Sequence, residues 1–266
     1  MRRGRLALPS LIAALLLAVG LAGACETGAV RLPSDSGAVT QTAAGDTDGA
    51  AASVTDDGTA SGDYVATDFD ADRYPNYVRV VGAADVFGQP AAGKTVYGGL
   101  DDLGRTTPVV ATVTYDMVEE SAGWREGFSA DDDPSGWGHN GRTTITFADG
   151  SSYHGWFWNR SHLLADSLGG HARRDNLVTG TRTQNVGEND GKGGMAYIET
   201  IVRDYLRDHH DVTVYYRATP VYVGDELVPR SVYVDAKSSD GAIDTEVETF
   251  NAAAGHSIDY MTGDWD

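Results

Sequence analysis

A short segment near residue 160 holds the residues of this chain best suited to act on a bound molecule. Arg160 and His162 stand two positions apart, just after residues 153–157, whose alternation predicts a half-buried strand. A histidine at the end of a strand is well placed for chemistry, because imidazole exchanges a proton near neutral pH. Downstream, Asn185 lies in the polar, glycine-containing stretch 184–191, where its amide oxygen is a neutral ligand for a hard cation.

A helix is predicted over residues 194–210. Its apolar residues recur every three or four positions and form one stripe, with Glu199 and Arg203 four residues apart at its border. This spacing can direct a carboxylate and a guanidinium together into a site beside the core. The same spacing also fits a simple ion pair between them, which contributes only about 0.3–0.5 kcal/mol.

The elements that would position these residues are predicted mainly as strands. Residues 143–147 alternate, and Asp149-Gly150 after them predicts a hairpin turn that leads into the strand at 153–157. This hairpin, the histidine, the asparagine and the helix follow one another in the order that a ββα-metal finger requires. After the helix, further alternating runs predict antiparallel strands at residues 212–217, 231–234 and 246–250.

The N-terminus predicts export. Three arginines among the first five residues precede the apolar residues 6–19, and small residues then lead to Cys25, the only cysteine, which excludes an internal disulfide. The apolar run is short for a membrane span of about 20 residues. The pattern over residues 1–25 resembles a bacterial lipoprotein signal, in which the cysteine is lipidated; plain secretion is the alternative. Both place the mature protein outside the cytoplasm, and a lipid anchor is the only membrane contact expected.

Residues 26–75 are predicted to be a disordered linker. They are acidic, rich in Ala, Gly, Ser and Thr, and contain very few large apolar residues, so they cannot bury enough surface to fold. The folded domain is therefore predicted over residues 76–266. A segment that folds on a partner is the alternative interpretation of this linker.

The charge argues against a strong grip on nucleic acid. The net charge is −19, and residues 76–266 alone carry 15 basic and 29 acidic residues, so the linker does not explain the excess. Proteins that bind nucleic acid tightly are usually basic. Any affinity for nucleic acid is expected to be weak and dependent on salt or metal.

The Asp131-Asp132-Asp133 cluster is another candidate cation site. It lacks the spaced ligands and the closing glutamate of a calcium loop, so a solvated turn is the favoured interpretation.

These residues together resemble the DNA/RNA non-specific endonuclease family, and most closely its bacterial DNA-entry branch. Residues 159–162, Asn-Arg-Ser-His, stand where that family carries Asp-Arg-Gly-His. The resemblance covers roughly residues 78–266 and includes five further features: Leu163-Leu164, Asn176-Leu177-Val178 followed by Asn185, Glu199 with Arg203, residues 234–241, and residues 100–105 at the start of the domain. Two departures are visible, Asn159 for the aspartate and Ser161 for the glycine. The first removes a carboxylate from the site.

The resemblance implies an α+β, ββα-metal nuclease with a central antiparallel sheet flanked by helices. It favours a helix at residues 109–118, whereas the β-branched residues 109–114 favour a strand, and both interpretations stay open. It also implies roles for the site. His162 is the expected general base and Asn185 the ligand of one Mg²⁺ ion, with Mn²⁺ as the alternative. Glu199 would orient water on the metal and relay a proton. Arg160 and Arg203 are candidate phosphate clamps. Asn176 and Asn159 are expected to position the residues that contact the metal or substrate, without contacting either themselves.

The leading functional hypothesis is a metal-dependent endonuclease that cuts DNA, with RNA as a second candidate substrate, without sequence preference and leaves 5′-phosphate ends. No helix-turn-helix, zinc finger or RNA-recognition motif is present in the sequence to read bases. Two alternatives come from other classes. One is a catalytically weakened surface binding module of the same fold, suggested by Asn159 and the acidic charge. The other is a phosphodiesterase for another anionic substrate.

Overall fold

The computed structural model describes residues 64–123 and 127–266. The predicted signal sequence, Cys25 and most of the predicted linker lie outside these residues. The described part of the chain contains three α-helices: α1 (Tyr115–Glu120), α2 (Arg182–Val186) and α3 (Met195–Asp208). It contains twelve strands: β1 (Val78–Gly82), β2 (Thr95–Tyr97), β3 (Val109–Val113), β4 (Arg142–Thr146), β5 (Ser152–Trp156), β6 (Trp158–His162), β7 (Leu177–Thr181), β8 (Val214–Val221), β9 (Ser231–Ser238), β10 (Asp244–Phe250), β11 (Ile258–Asp259) and β12 (Asp264–Trp265).

Six strands form one antiparallel sheet in the order β1-β10-β9-β8-β3-β2. Its centre consists of the three strands predicted from alternation after the helix, β8, β9 and β10. The open question at residues 109–114 is settled by two elements in succession. Val109–Val113 is a strand paired with β8, and α1 begins directly after Thr114, whose hydroxyl accepts a hydrogen bond from the backbone N–H of Met117.

One face of the sheet is apolar and carries α1 and α3. Alternate residues of β3, β8, β9 and β10 turn their side chains to this face, where they are buried against the apolar stripe of α3. The stripe contributes four fully buried residues, Met195, Ile198, Val202 and Leu206. The α+β class with a central antiparallel sheet is thus confirmed, and the predicted helix over residues 194–210 is α3.

The other face of the sheet is polar although it is buried. Asp235 of β9, with Glu246 and Glu248 of β10, lies on this face, and these carboxyls are at most 9% exposed. The segment 64–69 covers them: the Tyr64 hydroxyl donates to Asp235 at 2.7 Å, and the backbone N–H of Thr67 donates to Glu248 at 3.0 Å. This cover over the sheet, residues 64–69, is called the strap below.

Two further groups face the same carboxyls. Arg79 of β1 forms an ion pair with Glu248, with 2.6 Å between Nε and Oε2, and the backbone N–H of Asp85 donates to Asp235 at 2.7 Å. Arg217 of β8 lies opposite Asp235 in the register of the two strands. Burying carboxyls is costly unless they are hydrogen-bonded or paired, and the strap and Arg79 supply those partners.

The ordered chain therefore begins before residue 76, where the sequence predicted that the folded domain starts. Phe69 stacks on Tyr77 with 4.7 Å between ring centroids, and Tyr74 stacks on Phe250 at the same distance. Residues 64–75 have the composition of a linker, but their few aromatic residues pack against Tyr77, Tyr233 and Phe250.

The hairpin predicted at Asp149-Gly150 is present as β4 paired with β5, and Gly150 has the positive φ of 85° that its turn requires. The prediction that this hairpin carries the histidine is wrong. His162 ends β6, which pairs antiparallel with β7 in a separate two-stranded sheet. The chain bends at Phe157, which is fully buried in a second aromatic core with its neighbour Trp158, so β5 and β6 belong to different pairs.

No helix within the described residues is long and apolar enough to cross a membrane.

Candidate active site

The loop between β6 and β7 fixes the end of the strand that carries His162. Asn176 is fully buried beneath this loop, where its Oδ1 accepts from the backbone N–H of Leu164 at 2.9 Å. Its Nδ2 donates to the carbonyls of Leu164 at 2.9 Å and of His171 at 2.8 Å. Since buried backbone groups require partners, this one side chain holds both ends of the loop. Asn176 thus shapes the loop and does not face a ligand.

Asn185 lies on the short helix α2, whereas the sequence predicted only a polar loop there. Thr181, the last residue of β7, starts this helix, because its hydroxyl accepts a hydrogen bond from the backbone N–H of Gln184 at 3.0 Å. The helix was not predicted because it is a single turn in a polar stretch that contains glycine and has no apolar periodicity. The β6, β7 and α2 elements follow each other directly and form a compact strand, strand and helix unit.

The Asn185 side chain is held by two residues of β6. Ser161 Oγ donates to Asn185 Oδ1 at 3.2 Å, and Asn185 Nδ2 donates to Asn159 Oδ1 at 3.3 Å. The two contacts fix the plane of the amide and the direction of its oxygen, given the amide orientation that the hydrogen bonds themselves favour. Both departures from the family motif, Asn159 and Ser161, therefore touch the candidate metal ligand.

A glycine brings α3 close to this unit. Gly194, just before α3, has φ of +56°, and a Cβ added there would lie 2.3 Å from the carbonyl oxygen of Gln184. Only glycine tolerates both the conformation and the contact. The start of α3 can thus lie against α2, and Glu199 on α3 comes near Asn185 on α2.

The predicted residues meet in one cleft of ≈ 650 Å³. His162, Asn185, Glu199 and Arg203 all line it, together with Arg207 one helical turn beyond Arg203. The other walls come from the end of α1, the turn after it, Phe128 and residues 165–167. Phe128 also stands beside His162, with 5.7 Å between the ring centroids.

Glu199 is in an unusual electrostatic position in this cleft. The residue as a whole is partly buried, and the burial of its carboxyl among protein atoms raises its pKa to about 8. Arg203 opposes the shift. Arg203 itself pairs with Asp204, with 2.9 Å between Nη2 and Oδ1, so the alternative interpretation of a simple ion pair with Glu199 does not describe this structure. The Glu199 carboxyl is thus left for another positive charge.

Arg160 does not line the cleft. Its Nε donates to Asp133 Oδ1 at 2.8 Å, and its guanidinium lies 4.7 Å from the ring centroid of Trp137 and 5.2 Å from that of Phe128. Asp132 is likewise engaged, because it accepts from the hydroxyl of Ser129 at 2.6 Å. Within the acidic cluster, Asp132 thus forms a local contact, as expected of a turn, whereas Asp133 pairs with the distant Arg160.

The donor groups of the cleft fit a hydrated hard cation. The oxygen of Asn185 and the carboxyl of Glu199 are oxygen donors of the kind that Mg²⁺ and Mn²⁺ prefer, and two such groups leave most of the coordination to water. Across the described residues, no group of three His, Cys, Asp or Glu side chains could hold a metal, so a closed zinc-type cage is not formed among them.

Sequence reasoning missed Arg207 and Phe128 as cleft residues. Arg207 follows Arg203 by four positions, the same spacing that identified Arg203 from Glu199, and this signal was available. Phe128 lies in a loop without periodicity, far in sequence from its partners, and no local pattern indicates it.

Comparison with known proteins agrees with this geometry. A model of the DNA/RNA non-specific endonuclease family matches residues 89–261. A deoxyribonuclease from Streptococcus dysgalactiae subsp. equisimilis is 39% identical, and the match covers 63% of this chain and 59% of the relative. The chain thus spans less than two thirds of the length of that relative.

Solved structures are similar over a larger share. The structure of Sda1 nuclease with a bound zinc ion has a TM-score of 0.72 and 38% identity, and the match covers 74% of this chain and 98% of that chain. NucA from Streptococcus agalactiae with a magnesium ion bound has a TM-score of 0.53 and 22% identity, covering 69% and 83%, which supports the fold alone. With the family model matching well over half of its residues, the chain belongs to the DNA/RNA non-specific endonuclease family.

Proposed function

We propose that the protein is a metal-dependent endonuclease that hydrolyses phosphodiester bonds of DNA, and of RNA as a second substrate, without sequence preference. The observation that carries this proposal is the meeting of His162, Asn185, Glu199 and Arg203, from three different elements, in one cleft. Family membership and the deoxyribonuclease relative support it. The products would carry 5′-phosphates, and the enzyme would act outside the cytoplasm, secreted or anchored through Cys25.

His162 is the proposed general base. It is the last residue of β6 and lines the cleft, where its imidazole would take a proton from the water that attacks phosphorus. General base catalysis of this kind contributes typically about 10²–10⁴-fold to the rate.

Asn185 and Glu199 are the proposed holders of the metal. Asn185 would bind it through its amide oxygen, whose direction Ser161 and Asn159 set, and Glu199 would orient water in the cation's hydration shell. The chemistry that a bound Mg²⁺ supplies is stabilisation of the charge that develops on the phosphate and on the leaving 3′ oxygen. Mn²⁺ would suit the same oxygen donors.

Arg203 is the proposed clamp on the scissile phosphate, since it lines the cleft beside Glu199. Arg160 remains a candidate phosphate contact from outside this lining. It would have to exchange the Asp133 carboxylate for a phosphate, which makes it the weaker of the two candidates.

Plasmid nicking by the purified protein tests the proposal. Supercoiled DNA is incubated at low salt with Mg²⁺, with Mn²⁺ or with EDTA. We expect cleavage that requires the metal and falls by at least about 10²-fold in His162→Ala, because the base is lost. His154→Ala is the matched control, since His154 is an exposed histidine of β5 that bonds only Thr144.

The outcomes separate the candidate functions. A folded protein that fails to nick DNA in the presence of Mg²⁺ and also in the presence of Mn²⁺ would overturn the proposal and favour the binding module. Cleavage of small phosphodiesters together with indifference to DNA would favour the phosphodiesterase for another anionic substrate.

A further inference from the structure

The cleft face of α3 carries a row of three charged residues. Glu199, Arg203 and Arg207 follow one another at intervals of four positions, and all three line the cleft. Four residues advance a helix by about 6 Å, so the two guanidinium-bearing positions are displaced along the cleft by one helical turn. This displacement is comparable to the separation of neighbouring phosphates on one nucleic-acid strand.

Two acidic residues of the same helix lie outside its cleft face. Each arginine is followed at once by an aspartate, Asp204 or Asp208, which is turned about 100° around the axis and does not line the cleft. Both aspartates are exposed. Although the whole chain has a net charge of −19, α3 brings two arginines to the cleft beside the single carboxyl of Glu199.

Arg207 is held only loosely. Its Nε lies 3.9 Å from Oε1 of Glu119 at the end of α1, and the two side chains are 44% and 48% exposed. Exposed ion pairs at such distances contribute little. Arg203, by contrast, is 27% exposed and contacts Asp204 at 2.9 Å. A phosphate could thus replace Glu119 at Arg207 at little cost, and guanidinium binds phosphate through two parallel hydrogen bonds.

We propose that Arg207 forms a second phosphate subsite, which binds the phosphate adjacent to the scissile one on the same strand. The inference rests on the proposed nuclease function and names the polymer, with at least two successive phosphates, as the preferred substrate class. Glu119 lies beside the Arg207 guanidinium until the nucleic-acid strand enters. The negative charge of Glu119 then opposes binding of the phosphate. Arg207 contributes to holding the strand and takes no part in the proton transfers at the cleaved bond.

The test compares a polymer with a substrate that lacks the neighbouring phosphate. Duplex DNA and the p-nitrophenyl ester of a single nucleoside 5′-phosphate, which contains one phosphodiester, are each cleaved by the wild type and by Arg207→Gln. For DNA we expect KM to rise about 5–10-fold, with kcat changed less than twofold. The slope of log KM against log salt concentration should become smaller by about 0.7–0.9, because one phosphate contact is lost. For the small diester we expect kcat/KM to change less than twofold.

Two further variants sharpen the comparison. Glu119→Gln removes the competing carboxylate and is expected to lower KM for DNA two- to threefold. Lys237→Gln is the matched control, because Lys237 is similarly exposed at 43% and is also paired with a carboxylate, Asp244, but lies on β9 and does not line the cleft. It is expected to leave both substrates unaffected.

An unchanged KM for DNA in Arg207→Gln would overturn the inference, and so would an equal loss on DNA and on the small diester. Failure of the proposed nuclease function has a different signature, since the wild type itself would then leave DNA uncleaved.

Discussion

Ser161 Oγ donates a hydrogen bond to Oδ1 of Asn185 across 3.2 Å, and Asn159 accepts the other end of the same amide at 3.3 Å. The oxygen proposed to hold the metal is therefore positioned by two residues that depart from the family motif. Removing a group that hydrogen-bonds to a metal ligand commonly lowers metal affinity or activity about 10–100-fold. This relationship makes the two departures testable one at a time.

Ser161→Ala should weaken the response to metal. Without the hydroxyl the Asn185 amide is held from one end only, so we expect the half-saturating Mg²⁺ concentration to rise about 10-fold. Titration of nicking activity and calorimetric titration of metal in the absence of DNA would both report this change. Ser152→Ala, at an exposed serine of β5, is the control. Equal metal affinity in wild type and Ser161→Ala would show that Asn159 suffices.

Asn159→Asp should change nicking by less than about threefold. The amide oxygen of Asn159 already accepts the Asn185 Nδ2 proton, so a carboxylate would strengthen a contact that exists, by about 1 kcal/mol at most. The rate at saturating Mg²⁺ is the quantity to compare. A rise of 10²-fold or more would instead support the catalytically weakened binding module.

Asn176→Ala should destabilise the protein by about 2–4 kcal/mol. The substitution leaves three buried backbone groups of the loop without their hydrogen-bond partner and opens a cavity beneath it. Urea unfolding measures the loss, and Asn76→Ala, at an exposed asparagine, is the control. A loss below about 0.5 kcal/mol would mean that the loop holds its shape without this side chain.

Stability should fall as the pH rises from about 5 to about 8. Burial and the neighbouring Asp235 raise the pKa of Glu246 to about 7, and burial also raises the pKa of Asp235. The folded state thus keeps protons that the unfolded chain releases near pH 4–5, so this stabilisation is complete below the unfolded pKa and disappears as the pH passes the folded one. The free energy of unfolding should decrease by on the order of 1–2 kcal/mol, allowing for solvent screening.

Glu246→Gln isolates this contribution. The variant should show a flatter pH dependence of unfolding over the same range, because its amide does not ionise. Asp240, with its pKa lowered to about 2, titrates below this range, whereas Glu199 titrates within it, so the quantity to compare is the difference in slope between variant and wild type. An unchanged slope in the variant would assign the effect to other groups.

Hydrophobic periodicity was enough to predict those helices and strands whose type follows from the local sequence alone. The apolar stripe of α3, the β4–β5 hairpin with its Asp149-Gly150 turn and the three central strands were all predicted from local pattern, because local pattern reflects which side of an element is buried. The motif around His162, Asn185, Glu199 and Arg203 identified residues that the structure places in one cleft.

The remaining features depend on contacts between distant residues. The bend that separates β5 from β6 is caused by the burial of Phe157 in an aromatic core, and the strap is held by bonds such as Tyr64 to Asp235, 171 residues apart. Arg160 was expected in the cleft, but Asp133, from a loop 27 residues earlier, holds its guanidinium outside. Sequence pattern carries no information on such pairings.

The strap also determines where the chain enters the domain. Tyr64 lies on the polar face of the sheet, whereas the cleft opens on the side of α1 and α3. The described part of the chain therefore begins on the face of the sheet opposite the cleft. A long polymer that enters the cleft beside α1 and α3 would thus approach the sheet from the face that the strap does not cover.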